Sequence, residues 1–314
     1  MKQANFTRRT FVQLAGAGCV AGAVRPFEAS AQSGTPASRG PRIGMVAKVH
    51  AGAPVEAVIK RVQDLGLPSC QLFYERYTME DVRPLKEALS KYGVSVSAIS
   101  EHNPGRRIFN FYQGPLTVGI IPLETRKARI DALKFAADFA HACGIASIHS
   151  HLGFIPEDPN DPIYPGAVGA IREVSEYCKD KGVMLLSEGG QETPTTMLRM
   201  IQDVGNGNVF VNMDTANLIL YGKGNPVDAM DVLGHLVRGI HAKDGLFPTG
   251  TRELGEEVPI GKGKVDFPGF LQKLKAVNYT NVITIEREAE GPHQGEEILG
   301  AKAYIQRLLD RIYA

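Results

Sequence analysis

Four side chains set the chemical question: Glu188 in LLSEGG, Asp214 in VFVNMDTAN, His241 in RGIHAKD and Glu286 in VITIERE. Each lies at or near the end of a short apolar run rich in β-branched residues, the composition of a buried strand. A carboxylate at such a position is costly unless something pairs with it. The four are 26, 27 and 45 residues apart, one strand–helix unit each on a scale of roughly 30 residues, with an insertion before the last. Singly, each has a plain structural explanation as a helix cap, a partner for a lysine or a hydrogen-bonded core histidine. Together, at equivalent depth in successive strands, they point to a site. Three carboxylates and an imidazole at one mouth would repel unless a cation sat among them. Three oxygen donors and one nitrogen suit Mn²⁺, Mg²⁺ or Co²⁺ and admit Zn²⁺, whereas a soft metal would call for thiolates.

The elements that must position these residues alternate along the chain. Strand candidates are RIGMVAKV, SCQLFYE, VSVSAIS, IASIHSH, VMLLSE, VFVNMD, RGIHAK and NVITIE. Between them run segments of helical periodicity such as PVEAVIKRVQDLG, TMEDVRPLKEALSKYG, LETRKARIDALKFAADFAHACG and DFPGFLQKLKAVNY, several closed by a C-cap glycine, and GEEILGAKAYIQRLLDRIY follows the last strand. Eight strands alternating with helices require parallel pairing, so residues 42–314 are expected to form a single-domain α/β (β/α)₈ TIM barrel. An open doubly wound sheet is the alternative, but the first strand–helix turn lacks the glycine fingerprint of a dinucleotide fold. In a barrel, catalytic groups stand at the C-terminal strand ends, where all four residues fall.

The 314 residues are 43% hydrophobic and 22% charged, an ordinary globular composition. Formal charge is +1, but Lys2, Arg8, Arg9 and Arg25 against Glu28 give the first 31 residues +3, which leaves 1 − 3 = −2 for the rest. A mildly acidic body has no general attraction for nucleic acid, and none is expected as a partner. Paired arginines, a weakly apolar Ala/Gly/Val stretch and a small-x-small ending at residues 29–31 read as a twin-arginine export signal. The expected location is then the periplasm or cell envelope, with a polar linker at 32–41. Cys19 is a weak candidate for lipidation, and no later apolar run is long enough to span a bilayer. Cys70, Cys143 and Cys178 have no Cys-x-x-Cys spacing, so neither a disulfide framework nor a zinc knuckle is indicated.

The order Glu, Asp, His, Glu at the ends of the last four predicted strands resembles the xylose isomerase-like superfamily of sugar isomerases and epimerases. The stretch PIGKGKVDFPGFLQKLKAVNYTNVITIERE resembles that family's approach to its last glutamate: a Gly-x-Gly turn, an aromatic residue, a helix, a tyrosine and the strand. The resemblance implies a TIM barrel with one divalent metal held by Glu188, Asp214, His241 and Glu286. It also implies an enediolate reaction on a monosaccharide or keto-sugar, with Glu188 and Glu286 as the acid/base pair. A pair on opposite faces of the sugar favours epimerisation, and a single base favours carbonyl migration. His151, His102, Asn217, Lys243 and Arg252 are the expected substrate contacts. His149, two residues before His151, points the same way.

The chain departs from the epimerase branch at Asn217, where a histidine is usual three residues after the aspartate, and at Phe247, where an arginine is usual; Arg252 is the nearest arginine. Glu192 does not stand at the spacing of that branch's second acid. GKGK at 261–264 lacks the following Ser/Thr of a phosphate loop and reads as a turn or lid. A metal-dependent lyase, dehydratase or keto-glycoside-cleaving enzyme is the alternative, since the same enediolate can expel a β-substituent. An endonuclease IV-like nuclease would need more His and Asp ligands. A small carbohydrate is the expected partner, with homo-oligomerisation left open.

Overall fold

The computed structural model describes residues 40–102 and 104–314; the predicted export signal, Cys19 and almost all of the polar linker lie outside them. Among the described residues ten strands follow in order: β1 (Arg42–Val49), β2 (Ser69–Tyr74), β3 (Ser95–Ser100), β4 (Ser147–Ser150), β5 (Met184–Glu188), β6 (Val209–Asp214), β7 (Val237–Ala242), β8 (Asp244–Gly245), β9 (Glu257–Val258) and β10 (Val282–Ile285). The helices are α1 (Val55–Asp64), α2 (Val82–Tyr92), α3 (Gly114–Thr117), α4 (Leu123–Cys143), α5 (Tyr164–Asp180), α6 (Pro194–Val204), α7 (Asn217–Leu220), α8 (Pro226–Leu233), α9 (Phe267–Ala276) and α10 (Gln294–Ile312).

Eight of the strands close into an all-parallel barrel in the order β1-β10-β7-β6-β5-β4-β3-β2, as the alternation of elements predicts. The two-residue strands β8 and β9 form a separate antiparallel ribbon inside the long insertion between β7 and β10. Strand boundaries differ from the sequence reading by a residue or two. The segment 78–93 is split, with a 3-10 turn at Met79–Asp81 capped by Thr78 before α2 begins. Thr78 accepts from the Glu80 amide while Asp81 accepts from the Thr78 amide, so the first turn satisfies its own donors before the helix axis settles.

The apolar core lies between barrel and helices. Ile59, Leu72, Leu85, Ile99, Leu133, Phe139, Ile148, Phe267 and Phe270 are all fully buried in it. Inside the barrel the lining is polar instead: Gln71, Ser100, His149, Glu188, Asn212 and His241 are all buried. A polar interior survives only if its groups bond to one another, and that network is the floor of the site. Where β1 meets its neighbours, Gly44 leaves no room for a side chain, since a Cβ would stand 2.6 Å from the Ser69 carbonyl and 2.8 Å from Val282. Among the described residues no helix is long and apolar enough to cross a membrane.

Candidate active site

Strand ends deliver the four predicted ligands. Glu188 and Asp214 are the last residues of β5 and β6, His241 is next to last in β7, and Glu286 follows β10. Register sets their height, with His241 opposite Asp214 on one side and Thr284 on the other. One ligating atom of each of the four lies within 4.8 Å of the other three. His241 Nδ1 is 3.0 Å from Glu188 Oε1, 3.4 Å from Glu286 Oε2 and 3.9 Å from Asp214 Oδ2.

The donor set fits a divalent cation on an observation specific to Asp214. Its Oδ1 accepts from the amides of Ala216 and Asn217 at 2.7 and 2.8 Å. Its Oδ2 is buried and accepts no hydrogen bond, although Lys243 Nζ lies 3.1 Å away. A buried carboxylate oxygen left in that condition beside two further carboxylates and an imidazole suits a hard oxygen-seeking ion. His241 completes the requirement. With Nδ1 turned to the cluster, its Nε2 meets the Gln71 side-chain oxygen, which fixes the ring and selects which nitrogen is free.

Electrostatics follow from this crowding. Burial raises the Asp214 carboxyl, and Glu286 and Glu188 raise it further against the pull of Lys243, so it stands well above its ordinary range. Burial would also raise Glu188, but His151, His241 and His149 outweigh it and hold that carboxyl well below the usual range. Glu286 is likewise held down, by His241 and Lys243 against burial. Lys243 is buried among carboxylates, 2.9 Å from Glu286 and 2.7 Å from Glu288, and these with Asp214 overcome burial to keep its ammonium charged. The lysine is therefore a built-in counter-ion of the cluster.

The other expected contacts divide. His151 Nε2 is 3.3 Å from Glu188 Oε2, and its Nδ1 meets Gln191 at 2.9 Å. Asn217 donates to Glu188 Oε1 at 3.2 Å. Gly190 makes this approach possible, because a Cβ there would stand 2.4 Å from the Asn217 Cβ and its φ of +133° suits glycine alone. His102 lines the same cavity, and burial together with His151 and His149 pushes it down to about 3. The structure does not bring Arg252 to this cluster. It is exposed on the insertion, stacked 5.5 Å from the Tyr112 ring, because the chain after β8 turns outward there.

Two further residues complete the site: His149, which the sequence places on the same face as His151, and Gln71, which it does not single out. His149 sits deeper than His151 and meets Glu188 Oε2 at 2.5 Å and Ser100 at 3.0 Å. Gln71, buried in β2, accepts from Ser100 at 3.1 Å, contacts His241 and donates to Asn212 at 3.3 Å. The signal for both was a polar residue inside an apolar strand run. GKGK is a turn, not a lid: the amides of Gly261, Gly263 and Val265 all donate to the buried Asp244 carboxylate.

The family described as xylose isomerase-like TIM barrel matches residues 59–310. The chain belongs to that family. A solved xylose isomerase domain protein from Planctomyces limnophilus is 30% identical, with a TM-score of 0.79 over 87% of this chain and 99% of that one. Two curated relatives are each 25% identical. One is an uncharacterized protein of Methanocaldococcus jannaschii, matched over 201 residues, 60% of this chain and 66% of that protein. The other is the L-ribulose 3-epimerase of Methylomonas sp., matched over 162 residues, 48% of this chain and 51% of that protein. The chain thus spans between half and two thirds of the length of the curated relatives it matches. A sugar epimerase thus stands among the curated relatives of this xylose isomerase-like chain.

Proposed function

We propose that this protein is a divalent-metal-dependent sugar isomerase or epimerase acting on a keto-sugar. The observation that carries the reading is the convergence of Glu188, Asp214, His241 and Glu286 around a buried Asp214 oxygen with no hydrogen bond. Those four residues would hold the ion. A bound divalent cation would stabilise the negative charge that develops on the sugar oxygens as a neighbouring carbon loses its proton.

The chain's own residues do the rest. Glu188 and Glu286 reach the mouth from strands three places apart in the barrel, so they address a bound sugar from different sides. Held well below the ordinary carboxylate range, both stand ionised, the form in which a carboxylate can accept a proton. Removal by one and return by the other inverts a centre, which favours epimerisation over carbonyl migration. His149 and His151 fix the second oxygen of Glu188, and Asn217 the first. His102 and His151 offer ring nitrogens to sugar hydroxyls, while Lys243 balances the carboxylates. The sequence at residues 1–31 would direct the enzyme to the periplasm.

Elemental analysis of protein purified without added metal or chelator, beside Asp214→Ala, tests the reading. About one divalent ion per chain, absent from the variant, is expected, together with deuterium uptake from heavy water into a keto-sugar. Absence of bound metal even after Mn²⁺, Co²⁺ or Zn²⁺ is supplied would overturn it.

A further inference from the structure

Lys243 stands where a lysine is costly. Its side chain is 3% exposed, and an ammonium taken out of water persists only with its donors engaged. Two of its three donors are: Nζ hydrogen-bonds Glu286 Oε2 at 2.9 Å and Glu288 Oε1 at 2.7 Å. On its third side Asp214 Oδ2 lies 3.1 Å away and accepts no hydrogen bond. Glu286 and Glu288 line the cavity over the cluster and Lys243 does not, so the ammonium is directed at these carboxylates rather than at a molecule in the cavity.

Two of the three carboxylates have another claim on them. Asp214 and Glu286 belong to the four residues whose ligating atoms lie within 4.8 Å of one another. Glu288 stands outside that group, with a side chain 66% exposed. A divalent ion held by Asp214 and Glu286 would need the lone pairs that Lys243 faces, and two cations so placed repel strongly in a buried site.

The backbone cannot carry the lysine away. Thr215 Oγ1 donates to the Lys243 carbonyl at 2.6 Å and accepts from its amide at 3.0 Å, which fixes the Lys243 main chain to the residue after Asp214. The four-carbon stem is what can turn. Glu288 offers it an anchored acceptor: the Glu288 amide donates to Glu257 Oε1 at 3.2 Å, and Glu257 is held by Arg287 at 2.8 Å. Main chain under Glu288 is thus tied down while its carboxylate reaches solvent.

We propose that Lys243 competes with the divalent ion for Asp214 and Glu286, and that Glu288 is the seat that keeps its ammonium when the ion binds. The pair sets how tightly the ion is held. This rests on the metal-dependent reading above and concerns the regulation of that same site. When the ion is scarce the lysine supplies counter-charge, so the cluster stays folded without it. Loading then has to displace the ammonium, which lowers affinity and lets occupancy follow ion supply.

The test is competition for Mn²⁺ between a chelating indicator and the full chain freed of metal by dialysis. Lys243→Met should tighten binding ten-fold or more, a direction that damage to the site would not produce. Glu288→Gln should weaken it five-fold or more in the parent, yet shift it less than two-fold in a Lys243→Met background, since the seat then has nothing to hold. Equal or weaker binding by Lys243→Met would overturn the proposal, as would a Glu288→Gln effect that persists without the lysine. Should Lys243→Met fail to fold, Glu290→Gln decides. It removes an equally exposed carboxylate that is bound to Lys48 at 3.0 Å, and weakening equal to that of Glu288→Gln would reduce the effect to loss of charge and overturn the seat. Mn²⁺ bound by the parent with either of these negative results would leave the metal-dependent reading standing. No Mn²⁺ bound by the parent or by Lys243→Met would overturn both.

Discussion

At the residue scale, the site is a set of carboxylates whose second atoms are committed elsewhere. Asp214 spends Oδ1 on two backbone amides, Glu188 is held by Asn217 and two histidines, and His241 gives Nε2 to Gln71. Gln71 touches no expected ligand atom but fixes the orientation of one. Gln71→Leu should therefore weaken divalent-ion affinity by about 10–100-fold while leaving the fold intact, as read by competition with a chelating indicator beside circular dichroism. Glu192 is a different case. It is buried, its Oε2 has no hydrogen bond, and burial with nearby Glu157 pushes it up from 4.5 to about 8. Between those values the folded chain keeps a proton that the unfolded chain has released. Stability from this group is thus complete below pH 4.5, declines as pH rises toward 8 and levels off above it, with a slope of at most about 1.4 kcal/mol per pH unit. Glu192→Gln should flatten that part of the pH–stability curve measured by urea unfolding, and an unchanged slope would assign the dependence to another group.

At the element scale, the insertion between β7 and α9 is held by one side chain. Asp244, buried in β8, accepts from the amides of Gly245, Gly261, Gly263 and Val265 at 2.9 to 3.1 Å. This clasp forms the GKGK turn, and Lys243 precedes its central residue. Asp244→Ala leaves these donors without their acceptor, a loss of about 1.5–3 kcal/mol on the usual scale of hydrogen bonds to a charged group. Faster amide exchange confined to 261–265 should accompany it, and protection equal to that of the parent would refute the role. The loop before α4 is built in the same way around a cation. Buried Arg129 donates to the carbonyls of Pro104, Arg106 and Gly119, which anchors the segment carrying Phe109 to the helix behind it. Neither clasp was legible in the sequence, because each joins a side chain to backbone atoms that local pattern does not distinguish.

At the scale of the whole molecule, closure of the barrel depends on β1 lying between β10 and β2. Gly44→Ala would set a methyl against the Ser69 carbonyl and Val282 at the seam. The cost expected for such overpacking is about 1–3 kcal/mol, seen as a fall of several degrees in the calorimetric midpoint, and an unaltered midpoint would mean that the seam relaxes freely. The sequence by itself determined the fold class and the cluster. Eight apolar runs alternating with helical periodicity admit few closed solutions, and strand ends of a parallel barrel share one mouth, so Glu188, Asp214, His241 and Glu286 could be placed together from spacing alone. It did not determine which neighbours meet them. Gln71 and His149 lie 117 and 39 residues before Glu188; the register of β4 on β5 brings His149 beneath it, and the curvature of the closed barrel brings Gln71 across from β2. Arg252 shows the converse, because an insertion has no period to say which way its residues turn. The cavity over the cluster also belongs to the tertiary structure, since part of its wall comes from β1, α1 and the start of α10, at opposite ends of the folded chain, and adjacency across the seam is what makes them one surface.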